Sequence, residues 1–323
     1  MRRREFFWFV GSAAAWPCVA AAETHAAQVI GFLNGSSAEG YAPMVEAFRL
    51  GLREAGLVEG QGVTIEFRWA DGHYERLPQL IDDLLNRNVA VIVANTPANL
   101  VAKKATSTVP IVFTTSSDPV AVGLVPNLNR PGGNVTGISQ MNVEVGPKRL
   151  ELARELMPNA PVGLLLNPTN PQSAAVLDIA EKAERSLGLS VTVLKASTDS
   201  ELERVFADFR SSNIGILTIG TDAFFNGRTR QLAALATKYS VPTIYQYAEF
   251  TAAGGLMSYG GSIKESYHLA GLYSGKILHG ENPADLPVQQ STKVELLVNL
   301  TTARALGITI PQGLLARADE VIE

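Results

Sequence analysis

Hydroxyl, amide and carboxyl side chains collect in a few short runs of this sequence: Asn34-Gly35-Ser36-Ser37, Asn95-Thr96-Pro97, Thr114 to Pro119, Asn167-Pro168-Thr169-Asn170, Gly220-Thr221-Asp222 and Tyr245-Gln246-Tyr247. Few cationic side chains stand among them, and such a set suits holding a small zwitterion. Asp118 and Asp222 are candidates to pair with a ligand ammonium, Thr96 and Ser116 to donate to a carboxylate, and Asn167 and Asn170 to bond the ligand from the opposite side. Asn34 and Ser36 lead into a helix N-terminus, where free N–H groups and the dipole favour a carboxylate by ~0.3 to 1 kcal/mol. Tyr245, Tyr247 and Tyr259 offer aromatic surface to an apolar ligand body. Each has a plainer alternative: helix capping for the acids and the serine turn, core packing for the tyrosines.

Catalytic material is scarce by comparison. There is no G-x-S-x-G elbow, no G-x-x-x-x-G-K-[ST] loop, no G-x-G-x-x-G turn and no H-E-x-x-H pair. His268 and His279 fall on one helix but lie ~16 Å apart along its axis, too far to share a metal. The expectation is a binding protein with no catalytic residue, no metal and no cofactor.

Strand ends must present these turns. From Gln28 onward, short β-branched runs alternate with helical segments of apolar period 3.6, the pattern of a parallel sheet wrapped by helices. Strands are predicted at Val29–Leu33, Val63–Phe67, Val89–Ala94, Ile111–Phe113 and Val135–Ile138, and the alternation restarts with Val162–Leu166, Ser190–Leu194, Ile214–Ile219 and Val241–Tyr245. The restart predicts an α/β fold of two Rossmann-like, doubly wound lobes: residues 28–143 plus about 255–288 in the first, 144–254 plus about 289–323 in the second. Ligands of open α/β sheets bind outside the carboxyl ends of the strands, so two such lobes face each other across a cleft. Hinge crossings are expected near Ile138 to Gly146 and near Ala252 to Gly261.

Residues 1–22 read as an export signal. Arg2, Arg3 and Arg4 precede an uncharged stretch, Phe6 to Ala22, ending in Ala20-Ala21-Ala22, and Arg3-Arg4-Glu5-Phe6-Phe7 also fits the twin-arginine type. The 17 uncharged residues, interrupted by Gly11 and Pro17, fall short of a spanning helix. Trp16-Pro17 before Cys18 does not suit a lipid anchor, and cleavage after Ala22 removes the one cysteine. The chain carries −4 and the leader +2, so the mature part is near −6, with no basic patch for nucleic acid. A soluble periplasmic monomer is expected.

Particular runs of residues carry a resemblance. They include Met1 to Phe6, Gly51-Leu52-Arg53-Glu54-Ala55-Gly56 with Glu59-Gly60-Gln61, Arg68-Trp69-Ala70-Asp71-Gly72, Pro110 to Phe113, Leu128 to Gly137, Gly254 to Gly260, and the ending Ala316 to Glu323. Over essentially its whole length the chain resembles the ABC-transporter substrate-binding protein family. The resemblance implies a type I periplasmic-binding fold with three crossovers, and delivery of a small molecule to an inner-membrane permease driven by a cytoplasmic ATPase. Relatives of that family bind tryptophan and other aromatic amino acids. A periplasmic receptor that senses the same ligand for a membrane signalling protein is the alternative role.

Overall fold

The computed structural model describes residues 28–291 and 293–323. The proposed leader lies outside them.

The first lobe opens with β1 (Gln28–Asn34), α1 (Ala42–Glu54), the edge strand β2 (Val58–Glu59), β3 (Gly62–Trp69), α2 (Leu77–Asn86), β4 (Val91–Asn95), α3 (Ala98–Ala105), β5 (Ile111–Thr115) and β6 (Val135–Ser139). The chain then crosses over. The second lobe runs through α4 (Gly146–Leu156), β7 (Val162–Leu166), α5 (Ser173–Leu187), β8 (Val191–Lys195), α6 (Asp199–Ala207), β9 (Ile216–Ile219), α7 (Ala223–Asn226), α8 (Thr229–Lys238), β10 (Thr243–Tyr245), α9 (Ala248–Ala252) and β11 (Met257–Gly260). It returns to the first lobe for α10 (Ile263–Leu278) and β12 (Gln289–Gln290). A last crossing leads to β13 (Glu295–Asn299), α11 (Leu300–Ala305), α12 (Gln312–Leu315) and β14 (Glu320–Ile322).

Two seven-stranded sheets result, in the orders β12-β6-β5-β4-β1-β3-β2 and β14-β13-β11-β10-β9-β7-β8. Pairing is parallel apart from β11 with β13. The central strands are buried on both faces, as a doubly wound sheet requires, so β4, β5, β6 and β7 have no exposed residue. In each sheet the order reverses at the first strand of the lobe: β1 lies between β3 and β4, and β7 between β8 and β9. Ligands settle at such switch points.

Two lobe boundaries differ from expectation. Met257–Gly260, assigned to the first lobe by the start near 255, pairs with β10 and β13 in the second sheet, and the crossing falls after it. Gln289–Gln290, assigned to the second lobe, pairs with β6 in the first. Both segments are short strands beside glycines or prolines, and only their hydrogen-bond partners separate one sheet from the other.

The crossings are braced against one another. Asn142 accepts from the Gly261 N–H at 2.9 Å, and the Ser291 N–H donates to the Ser139 carbonyl at 2.8 Å. The buried Arg149 guanidinium donates to the Asn142 carbonyl at 2.7 Å and to the Tyr259 carbonyl at 3.1 Å. Burial lowers its pKa to about 10, which leaves it charged at neutral pH.

Helix α10 is held in the first lobe by contact with α1 through glycines. A Cβ on Gly51 would lie 1.9 Å from the His268 carbonyl oxygen, and one on Gly271 would lie 2.1 Å from that of Phe48. Only hydrogen fits there, so the two backbones approach as side chains would forbid. Gly271→Ala is expected to force the helices apart and lower stability by about 1–3 kcal/mol. Urea unfolding checks this: an unchanged midpoint would show that the crossing tolerates a methyl group.

Candidate functional site

The carboxyl ends of both sheets converge on a cavity between the lobes. Its first-lobe wall is built from Tyr41 ahead of α1, Asn95 and Thr96 at the end of β4, Thr114, Thr115 and Ser116 at the end of β5, and Ile263 and Tyr267 of α10. Its second-lobe wall holds Asn170 after β7, Gln172, and Thr221, Asp222, Ala223 and Asn226 around α7; Gln140 and Tyr247 complete the wall. Asp222 is the one ionisable group among these besides the tyrosines, and no Lys, Arg or His belongs to the wall.

The buried Asp222 carboxylate accepts four hydrogen bonds. Asn167 Nδ2 and the Phe224 N–H donate to Oδ1 at 3.0 and 2.9 Å; Tyr74 Oη and Asn170 Nδ2 donate to Oδ2 at 2.9 and 2.7 Å. Burial pushes its pKa up, and the donated bonds pull it back. A carboxylate offers about four acceptor sites, so this one is filled as an anion with no acceptor left for a proton of its own. The carboxylate also lines the cavity, so its charge faces the space a ligand would fill.

The other predicted residues divide into three groups. Thr96, Ser116 and Asn170 line the cavity with Asp222. Asn34 and Asn167 stand behind the wall as buried positioning groups. Asn34 donates to Tyr267 Oη at 3.0 Å and accepts from Asn95 at 3.2 Å, and Asn167 braces Asp222. Asp118, Ser36 and Tyr245 stand outside the lining. Asp118 caps its own turn by accepting from the Val120 and Ala121 N–H groups at 2.8 and 3.3 Å. Tyr245 lies in the second-lobe core, stacked on Phe250 with ring centroids 4.8 Å apart. Ser36 is covered by Gly227 of the other lobe. Helix α1 starts only at Ala42, so the Asn34 to Ser37 turn does not serve as its N-terminal anion site.

Tyr41, Tyr267, Gln172, Gln140, Asn226 and Ile263 are lining groups that sequence reasoning passed over, and Thr221 was named only as part of its turn. Tyr41 Oη lies 3.5 Å from the amide nitrogens of both Asn95 and Asn226, so it faces two donors and keeps its own proton for an acceptor in the cavity. Gln172 Oε1 accepts from Ser117 at 3.1 Å while its Nε2, like Thr221 Oγ1, is buried with no protein partner. Unpaired buried donors are rare in native proteins, and here they face the space a ligand would fill. Tyr247 Oη is fixed on Gln140 at 2.6 Å and presents ring surface.

Among the described residues no group of three or more His, Cys, Asp or Glu is placed to hold a metal ion, and no helix is long and apolar enough to cross a membrane. Two doubly wound lobes closed over a polar chamber at their switch points define a type I periplasmic-binding fold. Residues 28–322 match the family profile "ABC transporter substrate binding protein", and the chain belongs to that family.

A "Tyrosine-binding protein" of Clostridioides difficile strain R20291 is 26% identical over 264 residues, covering 81% of this chain and 75% of that one. An ABC domain from Streptococcus pneumonia, solved in complex with L-Trp, superposes with a TM-score of 0.80 at 24% identity, over 91% of this chain and 99% of that one. Against a ligand-free, open substrate binding protein with adhesive properties from Clostridium difficile, at 26% identity and the same two coverages, the TM-score is 0.60.

Thr221→Val removes a hydroxyl that has no partner within the protein, so the ligand-free form is expected to keep its thermal midpoint. Ligand affinity is expected to drop about fivefold to tenfold, the worth of one hydrogen bond. Calorimetry and a melting curve on the same sample separate the two effects.

Proposed function

We infer that this protein captures a small zwitterion, an amino acid with an aromatic side chain, outside the cytoplasm and hands it to the permease of an ABC importer. The single observation that supports the ligand class most is the balance of the cavity wall. It holds one carboxylate, three buried tyrosines and unpaired neutral donors, without a cationic side chain. The negative field of Asp222 favours an ammonium nearby even though its lone pairs are filled. Tyr41 Oη and Gln172 Nε2 supply donors for a carboxylate, joined by the hydroxyls of Thr221 and Ser116. Tyrosine rings at positions 41, 247 and 267 provide the faces for an aromatic body.

The tyrosine-binding relative supports the same class. Export by the residue 1–22 signal, a periplasmic location, action as a monomer and partnership with a permease belong to this reading. So do the absence of catalysis and of cofactors. The same cleft would equally serve a receptor that reports to a membrane signalling protein; permease and ATPase genes beside this one would favour transport.

Thermal-shift and calorimetric titration of the mature protein with L-tyrosine, L-tryptophan, L-phenylalanine and L-leucine tests the ligand. At 100 times the dissociation constant a ligand adds ~2.7 kcal/mol of stability. Tyramine, which lacks the carboxylate, and 3-(4-hydroxyphenyl)propanoate, which lacks the ammonium, are both expected to bind far more weakly than L-tyrosine. No shift with any amino acid would remove the proposed ligand class. Asp222→Ala is expected to weaken binding at least tenfold, about 1.4 kcal/mol, while Asp118→Ala leaves it unchanged.

A further inference from the structure

Tyr74 belongs to the first lobe, in the single 3-10 turn Tyr74–Arg76 that precedes α2, yet its hydroxyl bonds only with the second. It donates to Asp222 Oδ2 at 2.9 Å and accepts from the Phe224 N–H at 3.1 Å. The residue is 8% exposed and is not part of the cavity wall. The surface around it is shaped for close approach of the lobes. A Cβ on Gly40 would lie 2.3 Å from the Gly227 carbonyl oxygen, one on Gly72 would lie 2.8 Å from the Phe224 ring, and one on Gly227 would lie 1.9 Å from Ser36 Oγ. All three are contacts between lobes, and all involve α7 or the residue that follows it.

We propose that Tyr74, with Asp222 and the Phe224 N–H, forms a clasp that holds the lobes shut and sets the rate of ligand release without touching the ligand. The proposal rests on the reading of this protein as a two-lobed ligand trap. Bonds from one lobe to the other exist only after closure, so they slow opening and leave capture by the open form unaffected. Asp222 lines the chamber and also takes the Tyr74 proton. One carboxylate therefore belongs to both the ligand chamber and the clasp, and a ligand that shifts Asp222 shifts the clasp with it.

Tyr74→Phe removes the hydroxyl and keeps the ring, and Gly40→Ala wedges the same contact sterically without altering Asp222. Stopped-flow fluorescence with L-tyrosine is expected to show release about tenfold faster in Tyr74→Phe, with the association rate constant within twofold of wild type. A slower association with unchanged release, or no change in either, overturns the clasp.

A second readout needs no ligand. The mature chain has no native cysteine, so Lys104→Cys on α3 and Glu181→Cys on α5 accept a spin-label pair across the lobes. In the ligand-free protein the short-distance population is expected to be smaller in both variants than in the wild-type background. If L-tyrosine does not bind wild type, the ligand assignment fails and this distance measurement alone decides the clasp: equal distributions in all three proteins refute it.

Discussion

A carboxylate withdrawn from water must be surrounded by donors, and the closed form of this protein is organised around that requirement at Asp222. Its own lobe provides Asn167, Asn170 and the Phe224 N–H in the first turn of α7; the other lobe provides Tyr74. An uncompensated buried anion would be strongly destabilising. The requirement accounts for several otherwise separate features. The β7 turn carries two asparagines three residues apart, and the four-residue α7 begins where it does with Asp222 as its N-cap. The lobes meet at glycines because Tyr74 can reach Asp222 only if the backbones around it approach without side chains between them.

On the first-lobe side the corresponding network is neutral. Asn34 holds Tyr267 and Asn95, Asn95 accepts from the Gly35 N–H at 3.0 Å, and Thr96 bonds Thr115 at 3.2 Å. Tyr267 enters this wall on α10, a helix that arrives only after the chain has traversed the second lobe. Its place depends on the glycine crossing of α1 and α10 and on the braced crossovers at Asn142, Arg149 and Gly261. A helix delivered by the hinge therefore shapes the chamber directly, and hinge geometry and ligand contacts cannot vary independently.

The strands and the polar turns were legible because a parallel sheet buried on both faces demands continuous apolar runs that end abruptly. What eluded the sequence was which turn faces which. Asp118 and Asp222 look alike locally, each an acid shortly after a strand and before a helical turn. Asp222 follows β9, which pairs with the first strand of its lobe at the switch point; Asp118 follows β5, one strand further out, and turns inward on its own backbone. The tyrosines show the same limit. Tyr245 still belongs to β10 and points into the core, whereas Tyr247, two residues on and past the strand end, reaches the chamber. Tyr267 sits on the buried stripe of α10 and Tyr41 just ahead of α1, and nothing in a helical period tells a core face from a cavity face.

The absence of a cation from the chamber wall bears on how such a trap releases its cargo. Neutral donors make charge-assisted bonds to a carboxylate without bringing a charge of their own. They fix orientation through geometry, and they avoid burying a second charge when the site is empty. The lobes also hold each other, which adds to the resistance to escape. In this structure those lobe-to-lobe bonds run through Tyr74, Ser117 to Gln172, and Tyr41 to Asn226. Anything that pulls the lobes apart acts on these bonds first. A partner that prefers the open form could then empty the chamber without competing for the ligand's own hydrogen bonds, which is what a binding protein that must give up its cargo requires.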